Sequence, residues 1–124
     1  MAAPNIVNVA TITGSITNVA LGDTNEASIA NNAASSGAVL KINTIIVANV
    51  HTTTSATITI KVHSAAALGG TGYPIASAVS VAPNSSLVVL DKATSIYLSE
   101  NMSIGATASV GNYLAVTASY EVIS

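Results

Sequence analysis

Cysteine, tryptophan and phenylalanine are absent from this chain, and charged residues are scarce. Without cysteine, neither disulfide bonds nor thiol chemistry contribute, and we expect synthesis inside a cell. Without tryptophan or phenylalanine, a folded core has to be filled by Ile, Val, Leu and Ala. The opening Met-Ala-Ala-Pro-Asn lacks a basic segment followed by an apolar one, so no secretory signal is expected. No apolar run approaches the roughly 20 residues needed to cross a bilayer, although the mean hydropathy is +0.62.

Charged residues make up 6% of the chain, against about 25% in an ordinary soluble domain. Three basic residues are too few to neutralise several phosphates, which excludes a nucleic-acid groove. A domain of this mass exposes on the order of 6,000 Å², so wide areas of its surface must be neutral. We predict that other subunits cover much of this surface. The alternative is a stable sandwich with a coat of Thr, Ser and Asn.

The central stretch of the sequence, Ala38–Val62, contains two apolar runs joined by the polar residues 51–54. From Ser55 to His63 apolar and polar residues alternate with a period of two, and only a strand puts such sets on opposite faces. In Thr44–Val50 both phases are apolar, so this run lies either between two layers or under another subunit. We predict that the whole stretch forms a long β-hairpin at the centre of a sheet.

Turn residues recur at spacings near ten along the rest of the chain, and no helical period is present. This pattern predicts one all-β domain over residues 1–124, an antiparallel β-sandwich whose jelly-roll or immunoglobulin-like strand order stays open. Residues 5–21 are interpreted as two short strands divided by Gly14-Ser15. Residues 1–22 are a candidate N-terminal arm or swapped strand region. Residues 64–68 are predicted to be a loop, and residues 69–72 a flexible tip.

Reactive side chains are few and scattered. His51 and His63 fall at opposite ends of the predicted hairpin, which favours two exposed imidazoles over a shared metal site. Asp23 and Glu26 share a turn, where solvation is favoured over a calcium site. Neither histidine has an acidic partner placed by the sequence, and no nucleophile elbow is present. We therefore predict no enzyme activity, no cofactor and no metal.

Four phrases of the sequence carry a resemblance to a known group of proteins. They are KINTIIVANV (41–50), VAPNSSLVVLD (81–91), IYLSENMSI (96–104) and TASYEVIS (117–124). Together they resemble small β-sandwich structural proteins encoded among the virion genes of tailed bacteriophages, including phages of cyanobacteria. The similarity extends from about Ala38 to the C-terminus. It implies a non-enzymatic particle component in the virion, made in the host cytoplasm.

The resemblance and the low charge together predict a capsid decoration protein that binds the outer shell and bridges capsid subunits. Its expected partners are other virion proteins, above all the major capsid protein, and further copies of itself in a trimer or lattice. We expect neither nucleic acid nor membrane as a partner. The alternatives are a neck, tail or fibre component, and a carbohydrate-binding module that uses Tyr73 and the residues 69–72 tip. The predicted interface residues are Ile6, Val7 and Val9 in the arm, with Ile45 and Val47 on the second apolar face.

Overall fold

The computed structural model describes residues 9–124. These residues form nine β-strands and one 3-10 helix, Lys92–Thr94, which lies between the sixth and seventh strands. The strands are β1 (Ile12–Ala20), β2 (Ala27–Asn32), β3 (Val39–Asn49), β4 (Ala56–Ala65), β5 (Gly69–Val81), β6 (Ser86–Leu90), β7 (Ile96–Leu98), β8 (Met102–Ala108) and β9 (Leu114–Ile123). β1 runs without interruption through Gly14-Ser15, so the prediction of two short strands there is wrong.

The strands pack as two antiparallel sheets. The front sheet has the order β1-β9-β3-β6, and β7 pairs with β3 on the same side as β6. The back sheet has the order β2-β8-β4-β5. The predicted all-β antiparallel sandwich is therefore confirmed.

The pairing is nested around the turn between β4 and β5. β4 pairs with β5, β3 with β6 and β7, β2 with β8, and β1 with β9. The chain therefore behaves as one long two-stranded ribbon that is wound into two facing sheets. This is the jelly-roll arrangement, and it resolves the strand order that the sequence left open.

The predicted hairpin over Ala38–Val62 is wrong in its pairing, although both of its strands exist. β3 lies at the centre of the front sheet and β4 within the back sheet, so residues 50–55 cross from one sheet to the other. The hairpin that the chain does form joins β4 to β5 through a turn closed by Gly69 N donating to Ala66 O at 3.1 Å. The predicted flexible tip at residues 69–72 is consequently the start of β5.

A β-bulge in β3 explains why both phases of this strand are apolar. Ile42 pairs with Tyr120 and Thr44 with Ser119, which leaves Asn43 as an extra residue without a partner on β9. One extra residue reverses the alternation of side chains between the two faces. Leu40 and Ile42 face the core before the bulge, and Ile45 and Val47 face it afterwards.

The core between the sheets is aliphatic, as the composition predicts. Its largest fully buried side chains are Ile29, Ile42, Ile45, Ile58, Ile60, Leu98 and Ile104. The tyrosines that contact this cluster, Tyr113 and Tyr120, are only partly buried. β-branched side chains suit such a core because they are stiff and pack well on pleated sheets.

The bulge predicts losses of stability of different size on truncating two neighbouring isoleucines. Ile45→Ala removes a fully buried side chain and should lower the free energy of unfolding by about 2–5 kcal/mol. Ile46→Ala removes a half-buried side chain on the outer face and should lower it by roughly 1 kcal/mol. Urea denaturation of both variants measures the difference. A larger loss at Ile46 than at Ile45 would contradict the phase reversal.

Candidate functional site

The outer face of the front sheet is nearly free of charge. Among its strand positions the charged side chains are Lys41 and Glu121, which pair with each other in register at one end of the face. Asn43 Nδ2 donates to Glu121 Oε2 at 3.0 Å beside them. Everything beyond this row towards the other end of the strands is uncharged.

Three uncharged rows cross the front sheet from strand to strand, and we call them the neutral face. They consist of Ile16, Ser119 and Thr44; Asn18, Thr117, Ile46 and Val88; and Ala20, Ala115, Ala48 and Ser86. Most of these side chains are small, so the surface is flat. Val88 is 55% exposed and Ile16 is 61% exposed. An uncharged surface with exposed aliphatic side chains loses less by desolvation than a charged surface when another protein covers it.

The four sheet edges differ in how they are protected against further pairing. β5 contains Pro74 and three register shifts, and β2 is six residues long with a bulge. β6 and β7 are short and are separated by the 3-10 helix. Short strands, proline and bulges are the usual protection of an edge. β1 has nine residues, an uninterrupted register with β9, no proline and no charge.

The back sheet carries an acid–imidazole pair that the sequence did not predict. His63 Nε2 lies 2.7 Å from Glu26 Oε2, and His63 is only 7% exposed. With the carboxylate accepting, Nε2 is the donor, and the buried Nδ1 has no hydrogen-bond partner in the described structure. The expectation of an exposed His63 without an acidic partner is therefore wrong. Glu26 reaches His63 by crossing β8 at Gly105, where a side chain would meet the Glu26 carboxylate.

His51 has a structural setting in the loop after β3. Its ring stacks on Tyr113, with 4.1 Å between ring centroids and 16° between planes. His51 Nδ1 accepts from the backbone N–H groups of Thr53 at 3.2 Å and Thr54 at 3.0 Å. The two histidines thus have separate environments. Within residues 9–124, no group of three or more His, Asp or Glu side chains is placed to hold a metal ion.

A cleft of about 430 Å³ opens between the sheets at one end of the sandwich. Its lining includes Asn31, Asn32, Leu40, Tyr120 and Val122, and it has no histidine, aspartate or glutamate. Asn32 is buried there and donates to Ala38 O and Leu98 O, both at 3.0 Å. The polar groups of the cleft therefore hold the loop before β3.

The predicted interface residues lie in different parts of the chain, and those that the structure describes differ in burial. Ile6 and Val7 lie outside the described residues, and Val9 is half-buried just before β1. Ile45 and Val47 are fully buried in the core, because the bulge turns them towards the back sheet. The second apolar face inferred from them is therefore not exposed, and the opposing sheet covers it. The exposed aliphatic side chains of the neutral face are instead Ile16 and Val88, and the sequence does not show that their strands lie at the sheet edges.

Comparison with known proteins assigns this chain to no family. No protein-family model and no curated protein matches the chain. One solved structure that it resembles is described as the structure of infectious bursal disease virus, Gx strain, with a TM-score of 0.39 and 10% sequence identity. The match covers 89% of this chain and 33% of that chain. The described part of this chain also contains no helix long and apolar enough to span a membrane.

The Glu26–His63 pair predicts a specific sensitivity at Gly105. In Gly105→Ala the new methyl group displaces the Glu26 carboxylate and leaves His63 buried without its acceptor, which should cost about 1–3 kcal/mol. Gly14→Ala is the matched control, because nothing lies within 4 Å of the added methyl group. There the stability should be unchanged or should rise by up to about 1 kcal/mol.

Thermal or urea denaturation measures both substitutions, and a double-mutant cycle assigns the cause. In a Glu26→Ala background, Gly105→Ala should lose most of its effect, since the displaced group is gone. An equal loss with and without Glu26 would show that the pair is not what Gly105 protects.

Proposed function

We propose that this chain is a non-enzymatic structural component of a virion, and specifically a capsid decoration protein that binds the outer shell and bridges adjacent capsid subunits. The observation that carries the proposal is the neutral face. A small domain with exposed Val88 and Ile16 on uncharged rows of a sheet is suited to burial against neighbours, and the charged pair on the same sheet, Lys41 and Glu121, lies in a separate row. The low content of charge over the whole chain supports the same role.

The jelly-roll arrangement is compatible with this proposal, since viral capsid domains are among its known uses. Lectin domains and cupins share the arrangement, so the fold does not decide the function. The uncharged surface supports shell binding more directly than the fold does, because such binding needs contact area and no reactive groups. Each 100 Å² of apolar surface removed from water contributes on the order of 2.5 kcal/mol before ordering costs. Weak contacts repeated over many copies add to a stable coat.

The alternative within the same particle is a neck, tail or fibre component. The two roles differ in copy number, because a lattice repeats over the whole shell while a neck or tail ring has one closed symmetry. Cryo-EM of the virion whose genome encodes the chain separates them. On the order of hundreds of copies supports decoration, and about a dozen or fewer contradicts it in favour of a neck, tail or fibre.

Shell binding through the neutral face predicts that one added charge there blocks it. Val88→Lys places an ammonium group in the second neutral row, and burial of an unpaired charge is costly. Recombinant chain is added to capsids from a virus that lacks the gene, and bound protein is measured after sedimentation. We expect binding to fall by about tenfold or more.

Ser80→Lys is the control, because it adds the same charge to the exposed side of the back sheet, opposite Thr57. It should bind like the unmodified chain. Equal binding by the Val88 and Ser80 variants would contradict the use of the neutral face. Failure of the unmodified chain to bind would contradict the decoration role itself.

A further inference from the structure

Every second residue of β1 directs its backbone N–H and C=O groups away from β9, towards the edge of the sheet. Thr11 and Ser124 exchange two hydrogen bonds, with N···O distances of 2.8 and 3.0 Å, and Leu21 N donates to Leu114 O at 2.9 Å. In an antiparallel pair such inward-bonded residues recur at every second position. The odd-numbered residues of β1 therefore bond to β9, and the even-numbered residues direct their N–H and C=O groups outward. Within residues 9–124 no strand pairs with them.

We propose that this edge pairs antiparallel with β1 of a second copy of the chain, so that the front sheet continues across a two-fold axis. The midpoint of β1 is Ile16, which is an outward-bonding residue. In the symmetric register Ile16 faces its own copy, Gly14 faces Asn18, and Ile12 faces Ala20. On the outer face of the sheet Ile12 and Asn18 thus each face a small residue, and the two Ile16 side chains form an apolar contact on the axis.

The absence of charge in β1 favours a second copy over other occupants. In an isologous interface the residue on the axis meets its own copy and every other residue meets one from the same strand, so charges of one sign on that strand would repel each other. β1 has no charged residue and no proline, and it therefore pairs with itself without repulsion or a lost donor. A charged partner strand would find no side chain of opposite charge on β1.

The size of the contact predicts a weak dimer. Nine residues per chain is less than the 20–30 residues a side of a standard interface. Such a dimer forms at high local concentration and dissociates on dilution. The inference concerns the isolated chain and holds whether or not the chain belongs to a virion.

Single cysteines test the register, since the chain has none of its own. Across a hydrogen-bonded antiparallel pair the Cα atoms lie about 5.5 Å apart, which is within the range that a disulfide spans. Under mild oxidation at high protein concentration, Ile16→Cys should give a covalent dimer. Gly14→Cys and Asn18→Cys should each stay monomeric alone and should cross-link when they are mixed. Val50→Cys, which is 62% exposed in the loop after β3, is the control.

Sedimentation of the unmodified chain and of two lysine variants gives a second measurement that needs no cross-link. The unmodified chain should dimerise as its concentration rises. Ile16→Lys puts two ammonium groups face to face on the axis and should weaken the dimer by about tenfold or more, while Val50→Lys should leave it unchanged. Circular dichroism checks that each variant is folded.

Two results would overturn the proposal. One is cross-linking of Ile16→Cys no faster than that of Val50→Cys. The other is a chain that stays monomeric at all concentrations.

Discussion

The bulge at Asn43 is the constraint on which the rest of the structure depends. β3 lies at the centre of the front sheet and pairs with β9 on one side and with β6 and β7 on the other. Without the extra residue, one half of β3 would direct its isoleucines and valines to solvent. The phase reversal lets both halves contribute to the core and leaves Thr44, Ile46 and Ala48 on the outer face of the second half. The neutral face therefore exists because the bulge removes the large aliphatic side chains from most of it.

The sequence predicted the fold class and the two strands of the central stretch, and it failed where pairing depends on long-range contacts. Alternation located β4 correctly, but it could not show that β4 pairs with β5. The turn between them has positive φ at Ala67 and Leu68, although glycine or asparagine usually occupies such positions. Side chains from distant strands hold it, with Asn31 Oδ1 accepting from Ala67 N and Ser103 Oγ from Leu68 N. No local signal of a hairpin turn was available.

For the candidate site too, the composition predicted the kind of surface, whereas its position depends on how the strands pair. Scarcity of charge predicted wide neutral areas of surface, and the neutral face on the outer side of the front sheet is one of them. Which strands form that face follows from the nested pairing, which no periodicity reveals. The Glu26–His63 pair was also beyond prediction, because it depends on the absence of a side chain at Gly105 on the strand between them. Ile45 and Val47 were chosen for a second apolar face, which the bulge converts into core.

We expect the front sheet to be the covered side of this protein, with β1 as its open edge. Amide hydrogen exchange tests that claim most directly, by comparing the dilute chain with the assembled form. The amides of Ile16 and Asn18 should exchange rapidly in the dilute chain, because no strand within residues 9–124 accepts from them, and slowly after assembly. The amides on the free edge of β5 should exchange alike in both states. Unchanged exchange in β1, together with new protection in β5, would show that the back sheet is the covered side.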